Sequence, residues 1–107
     1  MPSVQQKFIN ETNNLYVELI QQEEFINNTI KSERLEDDFK SNETLINIMQ
    51  KTTNLNDQYS KMSAQIKHLK SAYNYYCESE YEKSLELLVF VIHLSKCALL
   101  IREKNNK

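Results

Sequence analysis

The sequence predicts an all-α fold, with three long antiparallel helices in one domain of 107 residues, a helical hairpin or bundle with a coiled-coil-like heptad seam. Three observations point there. Glycine is absent and proline occurs once, at Pro2, whereas ordinary usage is about 7% Gly. Without glycine there is no cheap residue for positive-φ turns, hairpins or phosphate-cradling loops. Apolar residues recur near the helical period through the first third, and a seven-residue repeat holds its register through the middle.

The first helix is expected over about residues 3–31. Ser3 and Gln6 make a possible capping box, in which each side chain answers a free backbone N–H. Val4, Phe8, Leu15, Leu19, Ile26 and Ile30 then form a stripe, with Thr12 and Gln22 filling its gaps. Leu35 and Phe39 in "KSERLEDDFKSNET" fall out of phase with Ile26, so a break or bend is expected near 32–41. Ser41 and Asn42 suit the cap of the next element.

That element is expected over 42–77. With Leu45 as position a, the a positions are Leu45, Thr52, Tyr59, Ile66 and Tyr73, and the d positions Ile48, Leu55, Met62, Leu69 and Tyr76. A repeat of this length predicts one rod about 50 Å long. "KTTNLND" has poor helix propensity and suggests a kink near 54–57, but the register argues against a full break. The e and g positions, among them Met49, Asn56, Gln58, Ser63 and Ala72, carry little charge and encode no ion-pair preference. The seam either packs inside its own chain or is shared with another, in which case Tyr59, Ile66 and Tyr73 are contacts.

Ser79 and Glu82 read as a capping box opening a last helix over about 80–104. The stretch "AYNYYCESEYEKS" resembles the middle of a tetratricopeptide helix pair, with Ala72, Tyr75, Ser79, Tyr81 and Ser84 at that repeat's small and aromatic places. Ser79 stands where the repeat's glycine is usual, and the closing proline is absent. A single repeat does not bury its own faces; a plain helical hairpin gives the same pattern, and no family is assigned.

The last helix is the unusual one. Thirteen of the eighteen residues of "SLELLVFVIHLSKCALLI" are apolar. At about 100° per residue, Leu85, Leu88, Val89, Ile92, Leu99 and Leu100 fall on one side, with Lys96 among them. Leu87, Phe90, Val91, Leu94, Cys97, Ala98 and Ile101 fall on the other. Ser84 and Ser95 divide the faces on one flank, Glu86 and His93 on the other. Two other helices would cover one face and leave the second wet. Six large side chains at roughly 1.5–3 kcal/mol each make on the order of 10 kcal/mol of unrealised burial, comparable with the stability of a whole small domain. A partner is therefore expected on Leu85, Leu88, Val89, Ile92, Leu99 and Leu100, either another helical protein or a second copy. The competing arrangement has the first helix and residues 32–41 folding back to cover both faces.

Charge favours antiparallel pairing. Residues 11–44 carry nine acids and three bases, a net −6, and residues 51–75 four bases and one acid, a net +3. Overall the charge is −2 with no basic stripe, so no nucleic-acid partner is expected. Glu86, His93 and Lys96 interrupt the last helix, and no membrane insertion is expected. The opening "MPSVQQKF" lacks a charged-then-apolar leader. Cys77 and Cys97 lack metal-like spacing, which with that opening suggests free thiols in the cytoplasm. The N-x-T triplets at Asn10, Asn27 and Asn42 are then chance.

No metal, cofactor or small-molecule substrate is expected. His93 and Cys97 stand four apart, but no third ligand is evident. Gln65 and Phe90 occupy the places a Glu-x-x-His di-iron motif needs, three before His68 and His93. Arg34 and Arg102 are the only arginines, too few for a dicarboxylate-binding bundle such as a helical chorismate mutase. The expected function is a non-enzymatic helical interaction subunit. The alternative is a small cytoplasmic chaperone or adaptor, holding an amphipathic client helix beside Leu88, Ile92 and Leu99 by helix-in-groove recognition.

Overall fold

The computed structural model describes residues 3–58 and 64–105, with side chains described through 55 and from 64 to 100. Every regular element among them is a helix: α1 (Val4–Ile20), α2 (Glu23–Ile30), α3 (Leu35–Lys40), α4 (Glu43–Gln58), α5 (Ala64–Cys77) and α6 (Tyr81–Asn105). The all-α expectation stands, but three long rods do not: the first divides into α1 and α2, the second into α4 and α5, and the linking segment forms α3.

At the start of α1, the Gln6 backbone N–H donates to Ser3 Oγ at 3.1 Å, as expected. The reciprocal half of the capping box is not made, because the Gln6 amide turns to Asn10 instead. The helix stops at Gln21, and Gln22 adopts φ −92°, ψ 2°. Gln22 lies on the apolar stripe, where an amide needs a polar partner. It finds one in Asn42, whose Nδ2 donates to Gln22 Oε1 at 2.7 Å across twenty residues. Asn42 also caps α4, accepting from the Leu45 N–H at 3.0 Å.

Between α2 and α4 the chain reverses. Ser32 Oγ donates to Asp38 Oδ2 at 2.6 Å and accepts from the Arg34 N–H at 3.0 Å, fastening the turn. α3 then presents Phe39, fully buried, to two tyrosines. Its ring centroid lies 5.0 Å from that of Tyr76 and 6.2 Å from that of Tyr81, tilted and edge-on. This is the preferred aromatic geometry, and it ties α3 to the α5–α6 hairpin.

The continuous middle rod is corrected by Ser84, whose Oγ donates to the Ala72 carbonyl at 2.7 Å and lies 3.9 Å from Met49 Sδ. Met49 and Ala72 are 23 residues apart, which in one straight helix is roughly 35 Å. Contact with one hydroxyl requires α4 and α5 to lie side by side. Leu45, Thr52, Ile66, Ile48, Leu55 and Leu69 of the heptad are all buried. The repeat marks the inward faces of two helices rather than one seam. α4 is one helix through residues 54–57, where the poor helix propensity of "KTTNLND" suggests a kink. Tyr59, Met62 and Ser63 lie outside the described residues, as do the side chains of Asn56 and Gln58.

Ser79 is also corrected. It does not cap α6 but ends α5 with φ 64°. Its N–H donates to the Tyr76 carbonyl at 3.1 Å, and the Glu80 N–H to the Tyr75 carbonyl at 2.9 Å. That pair of bonds is the Schellman ending, whose left-handed place usually goes to glycine; a chain without glycine fills it with serine.

α6 lies at the centre of the packing, touching α1, α2, α3 and α5, while α4 packs on α1 and α5. The buried core runs from Leu15, Tyr16 and Leu19 of α1 through Ile26, Phe39, Leu45, Ile48 and Met49 to Leu85, Leu88, Val91 and Ile92. Buried Thr12 and Thr52 satisfy their hydroxyls on the carbonyls of Ile9 and Met49, three residues back in their own helices.

Candidate interaction site

The sequence divides α6 into two apolar faces with a serine seam between them. In the structure that seam is the middle of one broad buried face. Ser84 and Ser95 are both fully buried, with Leu85, Leu88, Val91 and Ile92 around them. Small side chains let neighbouring helices approach closely, and α5 approaches near enough for Ser84 to bond to its backbone at Ala72. Ser95 Oγ is buried with no hydrogen-bond partner.

The expected partner residues therefore divide. Leu85, Leu88, Ile92 and Ile66 belong to the chain's own core, with Leu88 at 0% and Ile92 at 1% exposure. Val89, Leu99 and Tyr73 are half-buried against it. Only Leu100 stands well exposed, at 54%; Tyr59 is outside the described residues. The expectation of a wet face on Leu88 and Ile92 fails because α1, α2 and α3 fold back over α6. Lys96 helps fasten this cover, its Nζ lying 2.7 and 2.8 Å from the two Glu23 carboxylate oxygens of α2.

The free face lies around the Glu86–His93 flank. Phe90 is 49% exposed, and His93, Cys97 and Leu100 are also open to solvent, with half-buried Leu87 and Leu94 at the margin. Phe90, Leu94 and Cys97 are spaced i, i+4, i+7, as are His93, Cys97 and Leu100, so they make two adjacent rows on one helix surface. His68 of α5 meets the Phe90 ring edge-on at 5.5 Å and holds one side of it. The signal that distinguishes this face is the type of dividing residue: Glu86 and His93 carry hydrated groups, whereas a serine hydroxyl can turn back to a carbonyl.

The remaining titratable groups show ordinary structural contacts. A hydrogen bond with the Cys77 thiol, with burial second, raises the Tyr73 pKa. Burial, with Tyr81 nearby, raises that of Tyr76. Lys40 is held protonated above its usual range by its hydrogen bond to Glu36 and by Tyr81, and Glu36 is correspondingly lowered by Lys40. Among the described residues no three His, Cys, Asp or Glu side chains gather as a metal site, and no helix is long and apolar enough to cross a membrane.

No protein-family model, curated protein or solved structure matches this chain.

Proposed function

We propose that the protein is a non-enzymatic helical interaction subunit that joins another helical protein, or a second copy of itself, through the outer strip of α6. The observation that carries this is the half-exposed Phe90 and Leu100 on the face that also holds Leu94 and Cys97. Large apolar groups at helical spacing on a free surface are what helix-in-groove recognition uses. Leu85, Leu88 and Ile92 serve the strip from behind, as the packed support that fixes its shape. The client groove imagined beside Leu88, Ile92 and Leu99 is filled or lined by the chain's own helices, which weighs against the chaperone form of the idea.

A cytoplasmic setting is supported by Cys77 and Cys97, both free and exposed. The test is association by light scattering, in the wild-type chain and in a Phe90→Ser, Leu100→Ser variant. The expected result is self-association, or binding to a co-purifying helical protein, that the double variant loses while keeping its helix content. Unchanged association in the variant would refute the reading.

A further inference from the structure

The free strip of α6 has an internal symmetry about the point midway between His93 and Cys97. Phe90 and Leu100 stand at equal distances in sequence on either side of it, and so do Glu86 and Lys104. Glu86, Phe90, His93, Cys97 and Leu100 are all exposed, and α6 continues past position 104 to Asn105. A second α6 laid antiparallel on this strip, about a two-fold axis through that point, sets the position of Phe90 opposite that of Leu100, apolar against apolar. It sets Glu86 opposite Lys104, acid against base, and His93 opposite Cys97. A parallel pairing would instead set Glu86 against Glu86 and bring helix ends of like sign together. A self-complementary contact of this kind is how most two-fold dimers are built.

Apolar burial alone does not make such a pair permanent. From Phe90 to Leu100 the strip is about 15 Å long and one helix, roughly 10–12 Å, wide. That footprint falls far short of the roughly 800 Å² per partner of a stable interface. A tie at the axis is what the pair lacks, and the residues at the axis are of the kind that provide one.

His93 and Cys97 stand about 40° apart round the helix, with Cβ atoms roughly 5–6 Å apart. Both are exposed, and Cys97 is a free thiol. One chain offers only these two ligands, since among the described residues no third His, Cys, Asp or Glu gathers with them. The two-fold axis brings a second His93 and a second Cys97 to the same point on the facing helix. Two imidazoles and two thiolates are a tetrahedral zinc set, at roughly 2.0–2.1 Å to nitrogen and 2.3 Å to sulfur. Thiolate with imidazole favours zinc over calcium or magnesium, which take oxygen ligands. In a reducing compartment the same two thiols bind metal rather than close a disulfide.

We propose that two copies of this chain pair antiparallel along α6 and hold one zinc ion between them, on His93 and Cys97 of each copy. The inference rests on the reading of the α6 strip as the joining surface, and it narrows the partner there to a second copy. The metal site is incomplete in either chain alone.

The test compares the reduced full chain in chelator and with added Zn²⁺, by sedimentation and metal analysis. Zinc is expected to tighten self-association at least roughly tenfold, with one ion bound per two chains. Co²⁺ in its place should give the absorption bands of tetrahedral, thiolate-bound cobalt. His93→Ala and Cys97→Ser should each remove the metal-dependent pairing and the cobalt bands while keeping helix content and the urea midpoint in chelator. Cys77→Ser should change neither. The proposal is overturned by zinc bound without pairing, by cobalt without the tetrahedral thiolate bands, or by ligand variants that pair as well as the wild type. Pairing that zinc leaves unchanged but Phe90→Ser, Leu100→Ser removes overturns the metal site and leaves the α6 strip standing. A chain that stays single with and without zinc overturns the shared site and leaves the strip to another helical protein.

Discussion

The two sides of α6 are nearly equally apolar in sequence and opposite in fate. The side centred on Ser84 and Ser95 is enclosed by α1, α2, α3 and α5, while the side centred on Phe90 and Cys97 faces solvent. The difference lies in what separates the apolar rows. A serine can surrender its hydroxyl to a helix carbonyl and let another backbone approach; a glutamate or histidine keeps its water. Burial on α6 follows the small polar residues, and exposure follows the charged ones.

That contrast is most severely strained by Ile92→Asp, which places a carboxylate at the centre of the enclosed side and is expected to abolish folding. Leu88→Ala should cost about 2–5 kcal/mol through lost burial and a cavity, read from urea denaturation. By comparison, Phe90→Ser on the open side should shift stability by no more than about 0.5 kcal/mol while weakening association.

The serine pair sharpens the comparison, because one substitution is expected to give opposite signs. Ser84→Ala removes a buried hydroxyl bonded to the Ala72 carbonyl and should cost about 1 kcal/mol. Ser95→Ala removes a buried hydroxyl without a partner and should stabilise by up to about 1 kcal/mol. Equal losses at both sites would mean that Ser95 is bonded after all. At the hairpin, Ser79→Gly relieves a left-handed serine and should raise stability by about 1 kcal/mol.

The smallest effects are electrostatic. Lys96→Met breaks the partly exposed pair with Glu23 and should cost no more than about 1 kcal/mol, shrinking with salt. Glu36, its carboxyl lowered by Lys40, contributes stability that is present above the ordinary carboxylate pKa. That contribution is lost as pH falls through the lowered folded-state value. Glu36→Gln should remove that slope from an acid titration of stability.

Helix type was legible throughout, because absent glycine and periodic apolar residues are local facts. Where the helices end was less so. The heptad from Leu45 to Tyr76 keeps register across two helices, and register alone does not distinguish a rod from a hairpin; only the tertiary meeting of Met49, Ala72 and Ser84 does. Ser79 and Glu82 fit a capping box, but the same serine was needed one step earlier, to end α5 in a left-handed turn. The break at Gln22 was hinted at by an amide on an apolar stripe, though its partner Asn42 lies twenty residues on. For the candidate site, Leu100 was legible as exposed and Phe90 was placed on the opposite face. Leu85, Leu88 and Ile92 are buried within the chain because α6 packs on α5, α2 and α1 as well as α3, an arrangement set by tertiary contacts that the helical wheel of α6 alone does not carry.

The most direct test of the enclosed side of α6 is urea unfolding of the Phe90→Ser, Leu100→Ser chain across about a hundredfold range of concentration. Enclosure by the chain's own helices predicts one cooperative transition with the same midpoint at every concentration. A midpoint that climbs with concentration, or a variant with helix but no cooperative transition, would mean that Leu88 and Ile92 depend on a second chain for their cover.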